Sequence, residues 1–327
     1  MKICYWTPSS GGGAGKYEHY LPRKMEELGA EVNVFARPKG FLGNPLTLRL
    51  FYKSDGDIVH ATTSTLSMYS FPKPKRFIIT VHDMRTRQKS LKSRIKRFIV
   101  RDLGFVKRAD RLIAVSNFTK DEIRKYIEFE EHFIFVIPMG VDLSMYKPLE
   151  KEKCKMELNL NPEEKYILVV ASNEKHKRMD ITRKVFSEIR KSYDDIKLIK
   201  IGYGTKLEGE SIINLGFIPE EKMPILYNAA DVLLHTSEYE GFGMPLLEAM
   251  ACGTPVVASN KASIPEVVGD CGELVDLDAE DCVEQFAEKV LDCIDKGDRN
   301  EKGIERAKKF SWERVARKTM NVYEELL

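Results

Sequence analysis

Two glutamates eight positions apart, Glu240 and Glu248, bracket Gly241, Phe242, Gly243 and Pro245 within the stretch 239–255. The apolar run before it, 231–235, predicts a strand. Pro245 suits the first turn of a helix, where a missing N–H costs nothing and the fixed φ is already right. Gly253 and Pro255 end that helix near Cys252 and open a strand over 256–258. The backbone N–H groups of 241–244 are thus expected at a helix N-terminus beyond the carboxyl end of a strand, where α/β sheets bind anions such as phosphate. Carboxylates repel phosphate, but they accept hydrogen bonds from hydroxyls, and a vicinal diol fits one carboxylate well. A phosphate site flanked by two hydroxyl acceptors describes a ligand with sugar hydroxyls on either side of a diphosphate, the form of a nucleotide sugar. A plainer explanation stands beside this one: acidic groups near a helix N-terminus complement its macrodipole.

Other residues could serve the same chemistry. A strand over 166–171 leads through Ser172 to Lys177 and Arg178 and then into a helix reaching about residue 193. A lysine beside a helix N-terminus suits a diphosphate as a point charge, although three cations together also make an ordinary charged surface. His82, followed by Asp83, ends the apolar run 76–81, a position that faces a cleft more readily than a core; a backbone-bonded structural histidine is the alternative. The loop 8–16 carries Gly11, Gly12, Gly13 and Gly15. A P-loop would need Gly at position 10 and Ser or Thr at 17, where the chain has Ser10 and Tyr17. The dinucleotide fingerprint fails as well, because its third glycine falls on Lys16. A close backbone approach to a ligand and a mere tight turn both remain open for Gly12 and Gly13.

The elements that must position these residues alternate strand and helix twice over. Strands over 2–6, 31–36, 57–61, 76–81, 111–115 and 133–137 fill the first half, with helices to about 28 and from 117 to about 127, the latter capped by Ser116. The segment 143–164, with Pro148, Pro162 and many charges, reads as an interdomain linker with a short helix. Strands over 196–201 and 212–215 and a helix turning Met223, Leu226 and Tyr227 inward precede the central motif. Ser263 starts a further helix, and Ser311 caps an amphipathic one through Trp312, Val315, Met320 and Tyr323. At 327 residues, 43% apolar and 31% charged, the chain is long enough for two α/β domains. Residues 1–145 carry 25 Lys/Arg against 15 Asp/Glu, and 146–327 carry 27 against 35, so the halves differ in surface chemistry.

No apolar run is long enough to span a bilayer, and the six cysteines show no metal-ligand spacing and are expected as thiols in the cytoplasm. Residues 85–111 hold eleven Lys/Arg and two Asp, with Leu91, Ile95, Phe98, Ile99, Leu103 and Val106 at helical spacing. A solvated face over a core stripe accounts for this, as does contact with an anionic membrane surface at the inner leaflet. Nucleic acid is not expected, since no base-stacking aromatics accompany the charge.

The Glu-x7-Glu spacing of Glu240 and Glu248 resembles that of family 4 retaining glycosyltransferases, and residues 216–276 are similar to that family throughout. The resemblance covers nearly all the chain. It implies the α/β GT-B fold, two Rossmann-like domains facing across a deep cleft: 1–145 on the acceptor side, 146–310 binding nucleotide sugar, and 311–327 packing back toward the first domain with Trp312 at the hinge. It implies that Glu248 holds the ribose, Glu240 the transferred sugar, and the backbone of Gly241, Phe242 and Gly243 the donor. Gly12-Gly13 with Tyr17 resembles the glycine turn of the family's first domain, and His82-Asp83 its sugar-contacting motif. The backbone at Phe217 would meet the base. Lys177 keeps its phosphate-holding place, whereas Ser172 stands where the family has an arginine, which leaves Arg178 or the helix end to supply that charge. The implied reaction moves a hexose-type sugar from a nucleotide diphosphate sugar to a hydroxyl acceptor, a glycan or lipid-linked one, with no metal or other cofactor and no protein nucleophile. An epimerase of the same fold, a phosphorylase and a membrane-surface binding module are the rivals.

Overall fold

Runs of three to six residues, most of them apolar, become the strands of two parallel sheets. The computed structural model describes residues 1–8, 13–36, 52–84, 105–204 and 206–327. Gly12 and most of the basic stretch, 85–104, lie outside the described residues. The described chain forms two units, 1–140 together with 312–327, and 141–311.

In the first unit, β1 (Lys2–Thr7), β2 (Glu31–Ala36), β3 (Ile58–Ala61), β4 (Phe77–Val81), β5 (Arg111–Ala114) and β6 (Ile134–Val136) lie in the order β2-β1-β3-β4-β5-β6, with every neighbouring pair parallel. The inner strands β3 and β4 are buried along their whole length, as expected of a parallel sheet covered on both faces. Helix α1 (Gly13–Glu27) follows β1. Helix α2 (Asn117–Tyr126) follows β5, and Ser116 caps it by accepting the Thr119 N–H at 3.0 Å.

The C-terminal helix, Trp312–Glu324, completes this unit. It buries Thr319 and Val322 along with Trp312, Val315 and Tyr323. Trp312 stacks on Tyr20 with ring centroids 5.3 Å apart. It also fills the space above Gly140, where a Cβ would lie 2.6 Å from the indole. Deeper in, the Tyr323 hydroxyl meets Tyr5 Oη at 2.8 Å and His60 Nδ1 at 2.5 Å. His60 Nε2 reaches Thr80 Oγ1 at 2.7 Å, and that hydroxyl also meets Tyr17 Oη at 2.9 Å. Every member of this chain is buried, so each polar atom must find its partner inside it.

In the second unit, β7 (Lys165–Val170), β8 (Ile196–Ile201), β9 (Ile212–Gly216), β10 (Val232–His235), β11 (Val256–Ser259) and β12 (Glu273–Val275) take the order β12-β11-β10-β7-β8-β9, again all parallel. The helices are α3 (Lys151–Glu157), α4 (Met179–Ile189), α5 (Met223–Ala229), α6 (Met244–Cys252), α7 (Ile264–Val268), α8 (Cys282–Lys296) and α9 (Glu301–Ala307). Val185 and Phe186 of α4 and Phe286 and Val290 of α8 close a core over Ile167, Leu198 and Leu234. In each sheet the first strand of the unit lies between strands whose connections run opposite ways. The loops after β1 and β3, and those after β7 and β10, therefore leave their sheets side by side at a switch point.

The segment 143–164 is not a linker. Tyr146 and Cys154 are buried, and Asn228 ties the backbone at Leu149 and Lys147. The buried Lys155 ammonium donates to the carbonyls of Pro162 and Glu164 at 3.0 and 2.7 Å. Lys151 pairs with the buried Asp231 at 2.9 Å. Two of the charges that suggested a solvated connection, Lys151 and Lys155, fasten this segment, while most of the others stay exposed.

Burial holds the His60 imidazole down to about 3. The unfolded chain takes up this proton near the ordinary histidine value while the folded chain refuses it, so stability falls as the pH falls. Between about pH 6.5 and 4.5 the group is expected to remove about 2–3 kcal/mol. Urea unfolding at the two pH values checks this, with a shallower pH dependence expected in His60→Gln.

Candidate functional site

The switch point of the second unit brings a cation and a carboxylate together. Lys177 ends the single turn Lys175–Lys177 between β7 and α4, and Glu240 lies in the loop between β10 and α6. Lys177 Nζ lies 2.6 Å from Glu240 Oε1, and His235 Nε2 is 2.9 Å from the same oxygen. A carboxylate accepts and cannot donate, so His235 Nε2 carries the proton. Burial by itself would raise the Glu240 pKa. The hydrogen bond from His235 and the charge of Lys177 outweigh it and hold the carboxyl well below the usual carboxylate range. The stabilisation from this pairing is complete above the ordinary carboxylate pKa and is lost only as the pH falls toward the depressed value.

The two loops are fastened to each other by their own polar groups. Thr236 donates to the carbonyls of Lys177 and Arg178 at 3.1 and 3.2 Å, and its oxygen lies 2.7 Å from Thr182 Oγ1. The Glu238 N–H reaches the His176 carbonyl at 2.7 Å. From the other side, the buried Ser263 hydroxyl lies 2.9 Å from the Glu240 carbonyl and 3.0 Å from that of Phe242. Glu240 is thus fixed through its backbone by Ser263 and through its side chain by Lys177 and His235.

Helix α6 follows at once. Gly243 caps it at φ +105°, a left-handed conformation that suits glycine, and Pro245 stands in its first turn. Gly253 closes it at φ +78°. Phe242 is buried edge-on against Phe310 at 5.9 Å, so the backbone of Gly241, Phe242 and Gly243 is held by a ring on one side and Ser263 on the other. Glu248 lies within α6 and is only 3% exposed. Its Oε2 accepts the Tyr227 hydroxyl from α5 at 2.8 Å. Burial and the Glu248 charge push that phenol well up, which keeps it a donor.

The other expected site residues fall in several places. Arg178 adopts a left-handed φ of 50° ahead of α4, and its guanidinium pairs with Asp180 of that helix at 3.1 Å. Ser172 Oγ lies 3.4 Å from Glu174 Oε2. Phe217, just beyond β9, is 65% exposed and stacks on the equally open Tyr203 beyond β8, with centroids 5.6 Å apart. Gly13 is the first residue of α1. His82 belongs to the first unit, where its Nε2 donates to the Thr62 carbonyl at 2.9 Å. Burial lowers its pKa, and the Tyr17 ring meets it edge-on at 5.2 Å. Among the described residues no group of three or more His, Cys, Asp or Glu is placed to hold a metal ion, and no helix is long and apolar enough to cross a membrane.

His235, Thr236, Tyr227 and Ser263 are absent from the sequence-based list of site residues. His235 ends an apolar strand as His82 does, so the reasoning applied to one histidine would have found the other. Ser263 gives no such signal, because its partners are carbonyls more than twenty positions away.

The profile of the glycosyl transferases group 1 matches residues 150–310, and that of glycosyltransferase family 4 matches residues 37–145. An O-antigen chain mannosyltransferase B from Escherichia coli is 40% identical over 141 residues, which is 43% of this chain and 36% of that protein. An MMP alpha-(1->4)-mannosyltransferase from Mycolicibacterium hassiacum is 27% identical, covering 99% of this chain and 97% of its own. The chain spans about a third to a half of the length of the first curated relatives it matches. The crystal structure of Anabaena HepE in complex with UDP-glucose superimposes with a TM-score of 0.80 at 19% identity, over 100% of both chains. The fold is therefore GT-B, and the chain belongs to the group 1 glycosyltransferases of family 4.

Proposed function

We propose that this protein transfers a hexose-type sugar from a nucleotide diphosphate sugar to a hydroxyl of a glycan or lipid-linked acceptor, with retention of configuration. The observation that carries this reading is the Lys177–Glu240 pair at the switch point, 2.6 Å apart and adjoining the N-terminus of α6. An ammonium has three protons to give, and Glu240 engages one of them. Lys177 can therefore meet a diphosphate oxygen without abandoning the carboxylate. As the bond from the sugar to the diphosphate breaks, charge develops on the leaving oxygens, and Lys177 with the α6 amide groups would stabilise it.

Glu240 stays ionised throughout the working pH range, which suits a carboxylate that accepts sugar hydroxyls and not one that delivers a proton. In this reading Glu248, held by Tyr227, receives the ribose, the backbone near Phe217 meets the base, and His82 remains a sugar-contacting residue. Protein cations take the place of a metal ion in this proposal. Mannosyl transfer in the names of the similar proteins, and UDP-glucose in a solved structure of the same fold, support a hexose donor.

Thermal unfolding with UDP, GDP, ADP, CMP or dTDP and EDTA present tests the donor site. A nucleotide at about a hundred times its Kd is expected to stabilise by about 2.7 kcal/mol, and no response to any of them would remove the reading. Lys177→Met and Glu240→Gln are each expected to lower kcat/KM by about 10²–10³; unchanged turnover in both would overturn the assignment. Ser263→Ala is expected to cost about 1–2 kcal/mol in urea unfolding, because two carbonyls lose a buried donor.

A further inference from the structure

The switch point of the first unit also holds a carboxyl. Glu18 lies in the second turn of α1, which follows β1, and its Oε1 reaches the hydroxyl of Thr62, which follows β3. The separation is 3.5 Å, at the limit of a hydrogen bond. Thr62 has a single hydroxyl proton, and the Trp6 carbonyl lies closer to it, at 3.0 Å. Glu18 is partly buried, and among the described residues no cation pairs with it. The backbone carbonyl of Thr62 is the acceptor for His82 Nε2 at 2.9 Å. One threonine thus stands between a carboxyl lacking a strong partner and a histidine at the neighbouring strand end.

From this geometry we infer that Glu18 hydrogen-bonds a hydroxyl of the acceptor at the carboxyl edge of β1 and β3. The inference rests on the sugar-transfer reading and adds the residue by which the first unit receives a polyhydroxylated substrate. A carboxyl group suits it because it exchanges hydrogen bonds with a sugar hydroxyl in either protonation state. The edge suits it because ligands of open α/β sheets bind beyond the carboxyl ends of strands at a switch point. The remaining neighbours are consistent with a built site. Tyr17, one position earlier on α1, is buried, with its hydroxyl on Thr80 and its ring edge against His82, so α1 cannot rotate to carry Glu18 away. Burial pushes the Glu18 carboxyl up to about 8, the cost of keeping it there without a counter-charge.

The test uses the whole protein, the nucleotide sugar whose nucleotide gives the thermal response, and two acceptor probes, methyl α-mannoside and methyl α-glucoside. The wild type is expected to turn over donor faster with at least one pyranoside than with water alone. Glu18→Ala is expected to raise KM for that pyranoside about three- to tenfold, the worth of a hydrogen bond. KM for the donor, the rate of donor hydrolysis and the melting temperature of the free protein should stay unchanged. Glu18→Gln, which keeps one donor and one acceptor, should recover part of the loss. Equal pyranoside KM in wild type and Glu18→Ala overturns the inference and leaves the sugar-transfer reading standing. So does a wild type that hydrolyses donor but accepts neither pyranoside. A wild type that neither binds nor turns over any nucleotide sugar overturns the sugar-transfer reading, and the inference falls with it.

Discussion

Lys177 and Glu240 are 63 positions apart in sequence, and they meet because parallel pairing sets β7 beside β10. Taking both charges from water is costly, and a buried pair adds little net stability over apolar packing. What the pair supplies is position, and the surrounding hydrogen bonds are spent on keeping it. Thr236 ties the lysine loop by its carbonyls, Ser263 ties the glutamate loop by its own, and His235 doubles the contact to one oxygen. Removing any of these would free a charged group held at low solvent exposure, so the loops, α6 and the two strands form one mechanical assembly.

The parts of this assembly that are local in sequence were readable from it. Gly243, Pro245 and Gly253 specify the start, first turn and end of α6 through backbone preferences of single residues, and the structure places that helix where those preferences put it. Every strand but β12 was readable within a residue or so, because most of them are short apolar runs bounded by turn residues. Glu240 and Lys177 were each legible as candidates, but their pairing, with His235 on the same oxygen, was not, since it depends on strand order, which no local pattern encodes. Glu248 is legible as a hydroxyl acceptor, but no local pattern shows that Tyr227, at an inward-facing position, turns its hydroxyl onto it. The segment 143–164 misled for a related reason. Lysines are ordinarily solvated, and only the folded chain shows Lys155 buried against two carbonyls and Lys151 on Asp231.

Each unit sets chemical groups at its own switch point, yet by different means. The second unit pairs opposite charges and depresses the carboxyl. The first leaves a carboxyl beside a threonine and a neutral histidine and raises it. Two glutamates, one beside each switch point, thus differ in proton affinity: Glu240 has a lysine and a histidine on its carboxylate, and Glu18 is desolvated with no cation beside it among the described residues.

The contact between Tyr5 and Tyr323 spans 318 positions, and it bears on how the chain is made. Translation delivers the sheet of the first unit before that of the second, but the pocket around His60 stays open until the helix Trp312–Glu324 arrives. Closing so long a loop carries an entropic cost before any contact repays it. The second unit is continuous from 141 to 311 and lacks nothing once its own residues have emerged. On the ribosome, the half of this protein that is synthesised later is the half that can finish folding first.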